Sequence, residues 1–345
     1  MASLRDFHAN GHARLPHPTL RATLIHRDVV NAVLPPGAGA ASRGEKDKGW
    51  RRCATFTLME QNMTHVLACI DGSPSTAAVC DYAAWASLRL DAPLTFLHVL
   101  DQLQYPQRSD LSGNIGLGSR EHLLEELAAL DEQRSKLALE QGHHLLEAAK
   151  ARAMADGVAS PQLRQRHGDL VDSLAELQQD IRLLVIGRQG EASASLAQHV
   201  GSHLENAIRI LQRPILVSCG EFKAPQSYLF AFDGSATARK GVEMLAASPL
   251  LKGLPCHLVM VGADSNDAWE QLKAAERVLQ GSASAVHLAI RAGEVEPTLH
   301  AYQAEHGIDL LAMGAYGHSR IRQFLVGSTT SHLLRTSSGP LLILR

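Results

Sequence analysis

Between Met63 and Arg345 the chain states one plan twice. "HVLACIDGSPSTAAV" (65–79) is matched by "YLFAFDGSATARKGV" (228–242), so Asp71-Gly72-Ser73 corresponds to Asp233-Gly234-Ser235. "RHGDLVDSL" (166–174) is matched by "RAGEVEPTL" (291–299), and "IRLLVIGRQG" (181–190) by "IDLLAMGAYG" (308–317). "RPILVS" (213–218) is matched by "GPLLIL" (339–344). Four blocks in the same order impose two similar domains, and the period is far too long for a stacked-repeat solenoid. The repeat divides the chain into 1–62, 63–220 and 225–345.

Each copy alternates short aliphatic runs with longer stretches of helical periodicity. The runs are "HVLACI", "LTFLHVL", "QLRQR", "LLVIG" and "PILVS" in the first copy. In the second they are "YLFAF", "CHLVMVG", "AVHLAI", "LLAMG" and "PLLIL". Runs apolar on both faces fit buried parallel strands. Strand–helix alternation demands right-handed crossovers, so each domain is predicted to be α/β and doubly wound, with helices on both faces of a parallel sheet. Ligands of such sheets sit at the carboxyl ends of the strands, where strand order reverses. The first copy departs in one place, with a Gly/Ser-rich insertion at 101–120 predicted as a mobile loop and a long helix over 121–156.

Composition removes several function classes. Lys+Arg 33 against Asp+Glu 35 leaves no basic surplus to attract nucleic acid or anionic lipid. No apolar run approaches the roughly 20 residues that span a bilayer, so no integral membrane contact is expected and the location is read as cytoplasmic. Five cysteines form no CxxC pair; Cys69, Cys219 and Cys256 lie in apolar runs and read as small buried hydrophobes. Residues 1–62 mix His, Arg, Pro and Gly without periodicity and are expected to be disordered or absent from a native product that starts at Met59 or Met63.

The most informative local pattern follows "IDLLAM" (308–313). Gly314 and Gly317 leave the strand, and Gly327-Ser328-Thr329 opens a helix. Glycine allows unusual backbone angles and close approach. A helix N-terminus offers free N–H groups and partial positive charge to phosphate. His318, Arg320 and Arg322 add donors between them. The stretch therefore reads as a phosphate cradle, although no GxxxxGK[ST] loop occurs; the same glycines also suit a bare turn. Asp233, ending the first strand of that copy, has two compatible readings: ribose or adenine contact, and capping of the next helix.

At this point the residues resemble the universal stress protein family in its tandem form. The strand-terminal "DGS" of each copy carries the resemblance, together with a glycine signature of spacing two, nine, then Gly-Ser. Gly314, Gly317 and Gly327-Ser328 reproduce that spacing. The resemblance implies five parallel strands per domain in order 3-2-1-4-5, an adenine nucleotide alpha hydrolase-like fold, and ATP, with or without Mg2+, as ligand. It implies that Asp233, Val261 and Gly262 touch the nucleoside, while Gly314, Ala315, Gly317, His318, Gly327, Ser328 and Thr329 surround the phosphates. It also implies an intramolecular pseudo-dimer through "RPILVS" and "GPLLIL", with a homodimer as a further possibility. The first copy keeps Asp71, Gly187, Gly190, Gly201 and Ser202, but ten residues separate Gly190 from Gly201 and the loop has no Arg or Lys. It is expected to be the weaker site.

No GxSxG elbow, HExxH or clustered Cys/His spacing is present, and the eighteen histidines are dispersed. No catalytic residue is assigned. The leading expectation is an ATP-binding stress-response regulator whose occupancy changes its interaction with an unidentified protein partner. A slow ATPase, a nucleotide-dependent transferase and a structural module that binds no nucleotide are the alternatives.

Overall fold

The computed structural model describes residues 65–100, 117–189, 202–314 and 328–345. The N-terminal extension and residues 101–116 of the predicted insertion lie outside the described residues, and the long helix begins at Leu117, four residues before the expected 121. The first copy comprises β1 (His65–Cys69), α1 (Thr76–Leu90), β2 (Leu94–Leu100), α2 (Leu117–Ala155) and β3 (Gln162–His167). It continues with α3 (Leu170–Leu177), β4 (Ile181–Gly187), α4 (Ser202–Ile210) and β5 (Ile215–Ser218). The second comprises β6 (Tyr228–Ala231), α5 (Ala236–Ala247), β7 (Cys256–Val261), α6 (Asn266–Leu279) and β8 (Val286–Arg291). It closes with α7 (Val295–His306), β9 (Leu310–Gly314), α8 (Ser328–Thr336) and β10 (Leu341–Leu344).

The order 3-2-1-4-5 holds in each copy, and the copies fuse into one 10-stranded sheet, β3-β2-β1-β4-β5-β10-β9-β6-β7-β8. Pairing within each copy is parallel. The β5–β10 seam is antiparallel, pairing Leu341 with Val217, Leu342 with Leu216 and Ile343 with Ile215. Leu216 thus faces its own repeat counterpart, and the seam is a near two-fold. Strands of the two copies run in opposite directions, so their carboxyl ends lie on opposite edges of the sheet.

Both faces are covered, which explains the unbroken aliphatic runs. Val66, Ala68, Phe230 and Leu342 pack with Tyr82 of α1, Leu146 of α2, Val242 of α5 and Leu272 of α6. Alternate residues, among them Leu67, Leu229 and Ile343, pack beneath Leu174 of α3, Ile208 of α4, Leu299 of α7 and Leu333 of α8. Each layer draws on both copies. Cys69, Cys80, Cys219 and Cys256 are buried free thiols. The connection between copies is pinned where Asp309 accepts from Lys223 Nζ (2.5 Å) and from the Gln226 amide (2.8 Å). Phe222 meets Tyr82 edge-on, with ring centroids 4.8 Å apart.

The first copy's distinguishing helix, α2, has 39 residues against 14 in α6. Its C-terminal part packs across β2 and β3, where Gly142 lies so close to His98 and Gln165 that a Cβ there would fall 2.2 Å from Gln165 Nε2. Arg152 forks onto the Asp81 carboxylate of α1. From Glu125 to Gln141 only Ala138 is buried.

Candidate nucleotide-binding site

In the second copy β6 has β7 on one side and β9 on the other, and the chain winds outward in both directions. That reversal opens a crevice at the carboxyl ends of β6, β7 and β9. Asp233 stands just beyond β6, exposed, with Oδ1 accepting from the Ser235 amide at 2.9 Å. Capping of α5 falls to Ser235, whose Oγ accepts from the Ala238 amide at 3.1 Å. Gly234 turns at φ 72°, beneath Gln271 of α6. Arg239, in the first turn of α5, folds back to donate to the Gly234 carbonyl at 2.5 Å. On the far wall, the Gly262 amide donates to the Arg291 carbonyl at 2.9 Å, tying the end of β7 to β8. Gly314 ends β9 against the first turn of α5; a Cβ there would lie 3.3 Å from Ala238 N and Thr237 C. Ser328 opens α8, the helix that returns from this edge.

The first copy builds the same corner differently. Pro74 stands where Ala236 stands, and α1 begins at Thr76 with no side-chain cap. The freed hydroxyls turn inward. Ser73 Oγ and Ser75 Oγ lie 2.8 Å apart, and Ser75 Oγ donates to the Gln189 carbonyl at 2.9 Å. The turn after β1 is therefore stitched to the exit of β4. Gly187 again packs closely, with Ser75 Oγ 2.6 Å from where a Cβ would stand. The first glycine of the signature thus has a packing reason in both copies. Asp71 accepts from the Ser73 amide at 3.1 Å, as Asp233 does from Ser235.

The universal stress protein family model matches residues 63–218 and again 226–345. The chain belongs to the universal stress protein family. Universal stress protein Slr1230 of Synechocystis sp. is 37% identical over 287 residues, covering 82% of this chain and 100% of that protein. A universal stress protein from Archaeoglobus fulgidus shares the fold at TM-score 0.58 and 18% identity, over 82% of this chain and 98% of that one. A putative universal stress protein from Pseudomonas aeruginosa does so at TM-score 0.51 and 15% identity, over 83% and 94%.

For this universal stress protein, the structure brings Asp233, Val261, Gly262, Gly314 and the Ser328-Thr329 start of α8 to one sheet edge. Asp71, Gly187 and the Ser202 start of α4 meet likewise at the other. Ala315, Gly317, His318 and Gly327 lie outside the described residues, as do Gly190 and Gly201. One expectation needs correction: Asp233 braces its turn and leaves the cap to Ser235. Arg239 and Gln271 were not singled out from the sequence; both enter through helices whose rotation only the fold sets.

The dispersed histidines also need correction. His257 on β7, His287 on β8 and His306 on α7 converge, with ring centroids 4.7 Å and 5.3 Å from His257. The Tyr302 hydroxyl meets His257 Nδ1 at 3.1 Å, its ring stacks on His306 at 4.1 Å, and Arg291 lies over it. Burial pushes the His257 pKa down to about 4, reinforced by the two neighbouring imidazoles. Among the described residues no group of three or more His, Cys, Asp or Glu side chains is placed to hold a metal ion, and no helix is long and apolar enough to cross a membrane.

Proposed function

We propose that the second copy binds ATP and that occupancy alters the surface this protein offers to a partner protein in the cytoplasm. One observation carries the reading. An exposed carboxylate (Asp233), a glycine strand end (Gly314) and the N-terminus of α8 share the edge where strand order reverses. These groups fit the ligand chemically. The carboxylate accepts from ribose or adenine donors, and the α8 amides with Ser328 and Thr329 suit anionic oxygens. Arg239 adds a cation at the same mouth. Magnesium would arrive with the phosphates it bridges. The reading is regulatory in that it assigns these groups to binding and the consequence of binding to the surface offered to a partner.

The test is calorimetry of ATP added to the full-length chain, with and without magnesium, alongside Ser328→Ala. Saturable heat that weakens in the variant supports the site; a flat titration of the wild type sinks it. Sustained release of inorganic phosphate over many turnovers would favour the slow ATPase instead.

A further inference from the structure

Two helices end against the β5–β10 seam, and each is held there by an arginine of the other copy. Arg345, just past β10, places Nη1 at 2.6, 3.0 and 2.6 Å from the carbonyls of Ile208, Arg209 and Leu211. Those are the orphan carbonyls that close α4 in the first copy. By the repeat alignment, the counterpart of Arg345 is Cys219, a buried thiol that cannot return the contact. Arg188 supplies it from elsewhere. It follows β4 directly, and its Nη1 lies 2.5 Å from the Ser337 carbonyl and 3.4 Å from that of Arg335, at the end of α8. Its repeat counterpart is Ala315, so the second copy has no guanidinium at that position to offer in exchange.

Arg188 stands on a fixed platform. Its own amide donates to the Ser218 carbonyl at 3.1 Å. The next residue, Gln189, is stitched to Ser75. Burial pushes the neighbouring Cys219 thiol up to about 11, against the pull of the Arg188 charge. The helix it holds has nine residues, about 14 Å from end to end. A helix that short is marginal by itself, its two ends being only about two and a half turns apart. Leu333 and Leu334 anchor α8 to the core. A cation and charged hydrogen bonds at its last turn complement its dipole.

We infer that Arg188, a residue of the first copy, is a positioning residue for the nucleotide site of the second, fixing α8 by its C-terminal end so that its N-terminal amides stay aimed at phosphate. This rests on the proposed ATP site at the Ser328 end of α8. The divergent copy thereby serves as a brace for the intact one, while Arg345 returns the contact to α4, which opens at the expected weaker site.

Four full-length proteins decide it: wild type, Arg188→Met, Arg188→Lys and Arg345→Met. Each is titrated with ATP and followed by amide hydrogen exchange. Arg188→Met is expected to weaken ATP about fivefold and to speed exchange across 328–336. Arg188→Lys should recover part of both. Arg345→Met should speed exchange across 202–210 and leave ATP affinity at the wild-type value, which a generally loosened seam would not do. Wild-type affinity in Arg188→Met, or an equal loss in Arg345→Met, overturns the inference. If the wild type binds no ATP, the site reading fails separately; unchanged exchange in α8 of Arg188→Met would still refute the brace.

Discussion

The two crevices use their cations in opposite ways. In the second copy Arg239, from the first turn of α5, bends over the turn after β6. The first copy has Ala77 at that position. Its own arginine, Arg188, leaves the crevice and reaches across the seam to α8. The serines diverge in the same sense. Ser235 caps α5 and leaves its turn open, whereas Ser73 and Ser75 knit the corresponding turn to the exit of β4. In the second copy these bonds stay within the turn after β6 and the first turn of α5, whereas in the first they tie the turn after β1 to the exit of β4. The two corners are equivalent in topology and differ in how their side chains are bonded.

That contrast can be broken most severely at the seam, where both copies should fail together. Leu342 is 1% exposed and pairs with Leu216 at 0%. Leu342→Asp buries an unpaired carboxylate and should cost more than about 4 kcal/mol. Urea unfolding followed by circular dichroism should show a single, strongly shifted transition. Two separate transitions, with the first copy unaffected, would mean that the copies do not share one core.

Next in size is the ligand contrast. On the proposed reading that the second copy is the better ATP site, Gly317→Val should weaken ATP about a hundredfold, since the glycine signature is expected to need a residue without a side chain there. On the same reading, Gly190→Val should leave calorimetric affinity within about twofold. Equal losses would erase the asymmetry.

Acid provides a third, smaller test, specific to the second copy. His257 sits among His287, His306, Arg291, Tyr302 and Glu305, while Thr95 and Gln162 occupy the positions of His257 and His287 in the first copy. Its folded pKa of about 4 is below the ordinary value, which is about 6.5. As pH falls below about 6.5 the unfolded chain takes up a proton that the folded chain refuses until about 4. Stability contributed at neutral pH is therefore lost as pH falls through that window, and none is lost above it. Urea midpoints should drop between pH 7 and pH 4.5, and His257→Gln should flatten the slope. A variant as acid-sensitive as the wild type would assign the effect elsewhere.

The smallest expected effect is Ser75→Ala. It removes the donor to Gln189 and should cost about 1 kcal/mol, read from the thermal midpoint, with ATP affinity unchanged. A marked loss of affinity would show that the first copy contributes to ligand binding through its stitched corner.

The repeat made the architecture legible, because matched aliphatic runs in matched order leave little freedom in a doubly wound sheet. Strand order and the β5–β10 pairing followed from the family resemblance. The placement of Asp233, Gly314 and Ser328 at one sheet edge was legible because each sits at a strand end or helix start that the sequence itself marks. Arg188, Arg239 and the histidine cluster were not. Arg188 finds its partner 149 residues away across a seam, and which carbonyl it meets depends on register. His257, His287 and His306 belong to three separate elements, and only the pleat of β7 and β8 and the rotation of α7 turn them toward one another. Helix capping in the first copy was obscured by Pro74, which delays the start of α1.

Because the strands of the two copies run head to tail across the seam, their mouths look away from each other. A partner that clasps the second mouth leaves the first uncovered, and a molecule bound at one end cannot touch the other. Any coupling between the two edges must pass through the ten strands of the shared sheet and the side chains that cross the β5–β10 seam.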